Sequence, residues 1–308
     1  MTDVLFSVLT ATFNRSRLLI RVYESLVSQT VRDFEWIVID DGSTDDTASV
    51  VKKWQEREEF PIRYVYQENA GKHFALNRGI ETALGKYVLI ADSDDRFTPD
   101  AMATLLQYWH DLPADARRAF VGVTGLCKDS GGRIVGRRFP QDVCDSNTLE
   151  MRYRHKSSGE KWGFQRTEVL RLFPFPEDVA VRASIPESLV WDRIAVRYKT
   201  RYINRALRVY DSATRADQIT SSSVSSRSRG GRAAAKMVLD EQLSWFRWAP
   251  IQVSRSAAIF VRCSLHCDIS LLAQWRELRW PARALWMVAA PVGCLYYRRD
   301  LRKDQARR

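Results

Sequence analysis

The chain has 308 residues, of which 45% are hydrophobic and 28% charged, proportions ordinary for a soluble globular protein. Its net charge is +11, and 16 Lys and Arg against 6 Asp and Glu fall within residues 227–308, so the excess sits in the last quarter and points to two parts with different partners. Five scattered cysteines, an odd number, imply no disulfide framework and make a reducing compartment the default.

The first fifteen residues have neither a basic leader nor a small-residue cleavage site, so no signal peptide is expected there. "VLFSVLTA" (4–11) is a continuous apolar run, as in a strand covered on both faces. Leu18, Leu19, Val22 and Leu26 follow at helical spacing. "EWIVI" (35–39) reads as a second strand that ends at Asp40-Asp41-Gly42-Ser43, with Ser43 or Thr44 capping a helix to about Glu59. "IRYVY" (62–66) is a third strand, followed by Gly71 and a helix from about His73 to Leu84. "KYVLIA" (86–91) is a fourth, and Pro99 introduces a helix to about Trp109. This alternation predicts an α/β protein with a mostly parallel sheet and helices on both faces. Residues 120–210 are mixed, with a loop-rich stretch to about 165, helices at 167–172 and 187–198, and the strand "TRYINRALRVY". "TSSSVSSRSRGG" (220–231) reads as a linker or mobile loop. Helices with interleaved Trp and Arg follow. The most apolar stretch, "ALWMVAAPVGCLYY" (284–297), is too short to span a bilayer. The cysteines of "CSLHC" (263–267) read as helix-face residues, because no second cluster completes a metal site.

Ligands of an open parallel sheet bind outside the carboxyl ends of its strands. Three strands here end in compact polar sequence: "TATFNR" (10–15), "DDGSTDD" (40–46) and "DSDD" (92–95). An Asp-x-Asp step on extended chain points both carboxylates one way. A hard cation such as Mg2+ or Mn2+ takes one or two carboxylates and leaves positions for phosphate oxygens. There it would stabilise a diphosphate as a leaving group. No Walker-type Gly-Lys loop and no GxGxxG sequence is present, which removes the main support for P-loop and dinucleotide readings.

In order and spacing, "SVLTATFNR", "FEWIVIDDGSTDDT", "NAGKHFALNRGI" and "GKYVLIADSDD" closely resemble the nucleotide-sugar-binding half of family 2 glycosyltransferases of the GT-A fold. "GEKWGFQRTEVLRLFPFP" and "IPESLVWDRIAVRYKTRYINRALRVY" resemble the acceptor half of a bacterial subset. The resemblance implies a Rossmann-like GT-A domain at 1–220, with a nucleotide-sugar half at 1–115 and an acceptor half at 116–220. A linker at 221–231 and a basic, Trp-rich helical extension at 232–308 would follow. It implies inverting transfer from a nucleotide diphosphate sugar, usually a UDP-sugar, to an acceptor hydroxyl. Thr10, Ala11, Thr12 and Asn14 would line the nucleotide pocket, Asp41 would bind the uracil edge, and Asp40 would support it. Lys72 would approach the pyrophosphate or base, and His73 beside it would face the nucleotide. Asp92 and Ser93 would complete the nucleotide-sugar site. Asp94 would be the principal ligand of Mn2+ or Mg2+ with Asp92 beside it, and Asp95 would orient a ligand or the acceptor. Glu187 in "IPESLVWDRIA" would be the catalytic base, with Asp192 as its rival. Many relatives read "PEG" where this chain has "PES". A third metal ligand has only His155, Asp211 and Asp217 as nearby candidates.

Arg and Trp interleaved on amphipathic helices suit an anionic membrane surface. That would place the enzyme in the cytoplasm, peripheral on the inner face of the membrane, beside a lipid-linked, lipopolysaccharide or polysaccharide acceptor. The alternative for those helices is packing on the catalytic core. No nucleic-acid partner is expected, because no recognised module is present. Two rivals to the transferase are a sugar nucleotidyltransferase, which needs no acceptor base like Glu187, and a non-catalytic nucleotide-sugar-binding scaffold protein.

Overall fold

The structure is a computed structural model that describes residues 4–177, 185–210 and 224–305. Contacts divide the chain into two compact units, Met1–Phe175 with Val190–Arg215, and Pro176–Leu189 with Ala216–Arg308.

The first unit is built on one sheet, which among the described residues runs β3-β2-β1-β4-β8-β6-β9-β5, with β7 pairing β9. Its strands are β1 (Phe6–Thr12), β2 (Phe34–Asp40), β3 (Ile62–Tyr66), β4 (Tyr87–Ile90), β5 (Arg96–Phe97), β6 (Phe120–Asp129), β7 (Val143–Ser146), β8 (Lys161–Arg166) and β9 (Lys199–Tyr210). β1, β2, β3 and β4 are parallel. Beyond β4 the sheet is mixed: β8 is antiparallel to β4 and β6, β6 runs parallel to β9, and β5 and β7 are antiparallel to β9. The α/β expectation holds, with its parallel character concentrated in the first half. β8 falls inside the stretch expected to be loop-rich.

Alternation along the strands sorts the core into two layers. Phe6, Val8, Trp36, Val38 and Leu89 pack against α1 (Ser16–Val27), α2 (Thr47–Gln55) and α4 (Ala101–His110). Leu9, Ile37, Ile39 and Val88 pack against α3 (Lys72–Thr82), α6 (Thr167–Leu172) and α7 (Ser188–Ala195). All seven residues of β2 are buried, and each large apolar side chain so placed contributes about 1.5–3 kcal/mol. Glu35 is tolerated in that strand because Ser7, Arg63 and the Leu84 N–H all donate to its carboxylate, at 2.6, 2.9 and 2.7 Å. α5 (Thr148–Tyr153) is capped by Asn147, whose side chain accepts from Glu150 N–H at 2.9 Å.

The second unit is helical: α8 (Val224–Glu241), α9 (Pro250–His266), α10 (Leu271–Glu277) and α11 (Ala282–Gln305). Residues 224–231, expected as linker, are the first turns of α8; residues 221–223 lie outside the described residues. The small side chains that suggested a linker serve close packing instead. Ser228 is buried, and a Cβ on Gly231 would stand 3.1 Å from Cys263 Sγ on α9. Gly293 makes the matching approach on α11, where a Cβ would stand 2.5 Å from Val261. Leu239, Phe260, Val261, Leu278 and Trp286 form this unit's own core, and Cys263 and Cys267 are free thiols. No described helix is long and apolar enough to cross a membrane.

Candidate active site

The parallel register brings the carboxyl ends of β1, β2 and β4 side by side, and the loops leaving them are stitched together by polar side chains. After β1, Asn14 takes a positive φ of 51°. Its side-chain oxygen accepts from the Thr44 N–H at 2.7 Å, while its own N–H donates to Ser43 Oγ at 2.8 Å. Ser43 and Thr44 are thus engaged across the edge and do not cap α2. That helix begins later, at Thr47, whose hydroxyl donates to Asp45 at 2.5 Å. Thr10 and Thr12 are buried and Ala11 is half-buried. Thr10 was expected along the pocket, but alternation turns it into the core, where its hydroxyl accepts the Trp36 indole N–H at 3.0 Å.

After β2, the two aspartates divide. Asp40 accepts from the Ser43 N–H at 2.7 Å and the Tyr64 hydroxyl at 2.5 Å, a supporting role as expected. Burial, and then Asp40 beside it, push the Tyr64 hydroxyl well above the ordinary tyrosine range. Asp41 organises the loop before α3, accepting from Gln67, the Ala70 N–H and the Gly71 N–H at 2.7, 2.9 and 2.8 Å. Gly42 makes the close passage of that loop possible: its φ is 88°, and a Cβ there would stand 2.8 Å from Asn69 N. His73, expected to face the nucleotide, is buried against Phe74 in α3.

The chain leaving β4 holds the densest charge. The Asp92 N–H donates to Asp95 Oδ2 at 2.9 Å, and the Asp95 N–H donates to the Asp92 carbonyl at 3.0 Å, which closes a tight turn. Lys72 Nζ lies 2.6 Å from Asp92 Oδ1 and Arg208 Nη2 lies 3.3 Å from Oδ2. Arg15 reaches both Ser93 Oγ, at 3.3 Å, and Asp94 Oδ2, at 3.5 Å. Asp95 is 2% exposed and stands 2.6 Å from Arg208 Nε. The Lys72 ammonium, with help from Arg208, holds the Asp92 carboxyl below the usual carboxylate range. Burial drives Asp95 the other way, well above it, despite Arg208. Neighbouring carboxylates with opposed shifts are common where ionisation is put to use.

Lys72, Asp92, Ser93 and Asp94, all expected at the site, are therefore together. Glu187 lies half-buried in the turn that opens α7 and groups by contacts with the second unit. Asp192, its rival, is 2% exposed and bound through both oxygens by Arg152, at 2.5 and 2.7 Å, which commits it to structure. Asp211 and Asp217 lie outside the described residues. Among the described residues no three His, Cys, Asp or Glu side chains gather as a ready metal cage. The chain at 92–95 is a turn and not the extended step expected, but Asp92 and Asp94 are still oxygen donors two residues apart, of the kind a hard divalent cation takes beside waters and phosphate oxygens.

Two members of the cluster were not read from the sequence. Arg208 comes from β9, opposite Phe97 of β5, and its signal was an arginine set between the apolar Leu207 and Val209. Arg15 closes "TATFNR", where the asparagine drew attention first. Trp162 of β8 also supports the turn, donating its indole N–H to the Ile90 carbonyl at 2.9 Å and stacking on Phe97 at 4.3 Å.

A half-parallel sheet that gathers carboxylates and cations at three adjacent strand ends defines an α/β protein of the kind that receives anionic ligands there. The chain belongs to glycosyl transferase family 2, whose family model matches residues 7–163, about half of its length. One curated relative is the "GalNAc(5)-diNAcBac-PP-undecaprenol beta-1,3-glucosyltransferase" of Campylobacter jejuni. It is 29% identical over 215 residues, which cover 66% of this chain and 63% of that protein. The chain spans from 18 to 63% of the length of the first curated relatives it matches. Among solved structures, S. aureus TarS 1-349 in complex with UDP has a TM-score of 0.59 at 21% identity, covering 92% of this chain and 78% of that one. The mannosyltransferase PcManGT from Pyrobaculum calidifontis, in complex with GDP-Man and Mn2+, has a TM-score of 0.51 at 20% identity, covering 96% and 84%. At these identities the two structures share its fold.

Proposed function

We propose that the protein is an inverting glycosyltransferase that moves a sugar from a nucleotide diphosphate sugar, foremost a UDP-sugar, to an acceptor hydroxyl. The observation that carries this reading is the cluster at the end of β4. Asp92 and Asp94 face Lys72 and Arg15 there, within reach of the loops that leave β1 and β2. Carboxylates suit a hard cation and the basic side chains suit the phosphates it accompanies. Asp94 and Asp92 would hold Mn2+ or Mg2+, which when bound supplies charge neutralisation for the leaving diphosphate. Lys72 and Arg15 are placed to exchange their carboxylate partners for diphosphate oxygens. Asp41, held by the loop before α3, fixes the wall against which the base would lie, with Ala11, Thr12, Asn14 and Ser93 along the same edge and Thr10 beneath it.

Inverting transfer is a single displacement, so one carboxylate must take the proton of the attacking hydroxyl. We assign that task to Glu187, since Asp192 is already bound on both oxygens by Arg152. The acceptor would be a carbohydrate of the cell envelope, lipid-linked or polymeric, in keeping with the undecaprenol-linked substrate in the name of the C. jejuni relative. We place the enzyme in the cytoplasm, peripheral on an anionic membrane surface through its C-terminal helices. There Trp248 and Trp280 are 42% and 69% exposed, while Trp286 is buried in the helical core.

A screen of nucleotide sugars with Mn2+ by thermal stabilisation tests the donor, because binding to the native state raises stability by RT ln(1 + [L]/Kd). One UDP-sugar should separate from the rest and lose its effect in Asp94→Ala. Equal stabilisation by every nucleotide, unchanged in that variant, would contradict the reading.

A further inference from the structure

The second unit contains a cavity of about 370 Å³ that lies between α9 and α11. Four of its lining residues are basic: Arg255 and Arg262 from α9, and Arg299 and Lys303 from α11. Asp300 is the one acid on the wall, and it is 8% exposed. Its carboxylate is already spent, accepting from Arg262 Nε and Nη2 at 2.6 and 2.8 Å and lying 3.0 Å from His266 Nε2. That pairing fixes the Arg262 guanidinium in one orientation and leaves Nη1 outside it. Arg255, Arg299 and Lys303 make no ion pair among the described residues. A concave site with four cations and one internally satisfied anion carries a surplus of positive charge. Its volume is within the range of small-ligand sites, about 300–1,000 Å³.

A second feature leads into the cavity. On α11, Val288, Val292 and Leu295 are 78%, 41% and 63% exposed, at steps of four and three residues. The same helical face continues four residues on to Arg299 and then to Lys303, so an exposed apolar stripe runs directly onto the basic wall. Tyr296, 41% exposed, lies where stripe and wall meet. An apolar track ending in a cationic cavity matches an amphiphile with an anionic head, and it fits a free anion poorly because the stripe would stay bare.

We propose that the cavity between α9 and α11 is a binding site for the phosphate head of a membrane lipid, with the lipid chain lying along Val288, Val292 and Leu295. The site favours a terminal phosphate, which bears more charge and more acceptor oxygens than a phosphodiester, and it engages guanidinium groups in the paired geometry arginine makes with phosphate. This deepens the proposed membrane association by naming the group the surface recognises, and it rests on that reading.

The test is flotation of the full chain with vesicles of phosphatidylcholine containing either phosphatidic acid or phosphatidylserine, matched for surface charge. The site predicts at least about fivefold tighter binding to phosphatidic acid, the equivalent of about one well-placed basic contact near a membrane. Arg299→Gln with Lys303→Gln should remove that preference, and neither change breaks an ion pair, so folding is retained and is checked by the unfolding midpoint. Arg276→Gln with Arg279→Gln, two exposed arginines outside the cavity, is the charge-matched control and should keep the preference. Equal binding to both vesicles overturns the site while leaving membrane association intact. Loss of binding to both overturns the membrane reading itself. Loss of preference in Arg276→Gln with Arg279→Gln equal to that in the cavity variant makes the attraction diffuse and also overturns the site. If inorganic pyrophosphate stabilises the protein as strongly as phosphatidic acid vesicles do, with no vesicle preference and with the effect lost in Arg299→Gln with Lys303→Gln, the cavity serves a soluble phosphate and the lipid assignment fails.

Discussion

The two charge clusters of this molecule are prepared in opposite ways. At the end of β4 every carboxylate has a cation: Asp92 faces Lys72 and Arg208, Asp94 faces Arg15, and Asp95 faces Arg208. Between α9 and α11 four cations stand beside one carboxylate, and of the four only Arg262 pairs with it among the described residues. A balanced cluster is suited to exchange, since an incoming cation and diphosphate can take over partners of opposite sign without leaving either uncompensated. An unbalanced cluster is suited to simple capture of an anion. The first cluster also centres on a buried pair, Arg208 and Asp95, whereas Arg299 and Lys303 of the second are exposed and make no ion pair among the described residues.

The largest expected effect tests that separation. Arg208 is 7% exposed and Asp95 2%, so Arg208→Met leaves a buried carboxylate without its partner and should cost about 3–5 kcal/mol. Arg299→Gln in the exposed cluster should change stability by no more than about 0.5 kcal/mol. Urea unfolding of the two variants reads both, and similar losses would erase the distinction. Next comes catalysis. Asp94→Ala removes the proposed principal metal ligand from a partly exposed position, so transfer should fall by about 10²–10³-fold, as when one transition-state stabiliser is lost. Its unfolding free energy should hardly move, and steady-state kinetics beside urea curves separate the two effects. Glu187→Gln should lower kcat while leaving nucleotide-sugar affinity near that of the wild type, and a change in affinity alone would argue against a base.

Tyr64→Phe is a smaller perturbation. It removes the hydroxyl that donates to Asp40 at 2.5 Å and should cost about 1.5–3 kcal/mol, as for a hydrogen bond to a charged group. Smallest is Lys72→Met, for Lys72 and Asp92 are each about a third exposed and solvent limits such pairs to under about 1 kcal/mol. Its sign with pH is nonetheless fixed. Lys72 depresses the folded pKa of Asp92, so the stabilisation is complete above the unfolded pKa of about 4 and is lost as pH falls through the lower folded value. The stability gap between wild type and Lys72→Met should be constant through neutral pH and close on acidification. A gap that widens in acid would mean that the pair does not act through Asp92.

The parallel half of the sheet was legible because each strand is a continuous apolar run that ends in polar sequence, and both signals are local. Lys72, Asp92, Ser93 and Asp94 followed from the resemblance and lie together. The antiparallel half was less legible. β8 carries Gly163 and polar residues within "KWGFQR", and its partners β4 and β6 lie far away in sequence. Arg208 reaches Asp92 across 116 residues, a contact that local pattern does not encode. Thr10 shows the same limit on a smaller scale: motif position suggested the pocket, but strand alternation and Trp36 take its hydroxyl into the core. At 224–231 composition misled, because Ser and Gly that usually mark a linker are there the small residues that let α8 approach α9.

The most direct test of the central claim is analysis of the nucleotide product formed with Mn2+ and the stabilising nucleotide sugar. The account predicts release of the nucleoside diphosphate, coupled to transfer onto an acceptor hydroxyl and lowered about 10²–10³-fold in Asp94→Ala. Formation of pyrophosphate from a nucleoside triphosphate and a sugar 1-phosphate, or diphosphate release indifferent to Asp94→Ala, would contradict it.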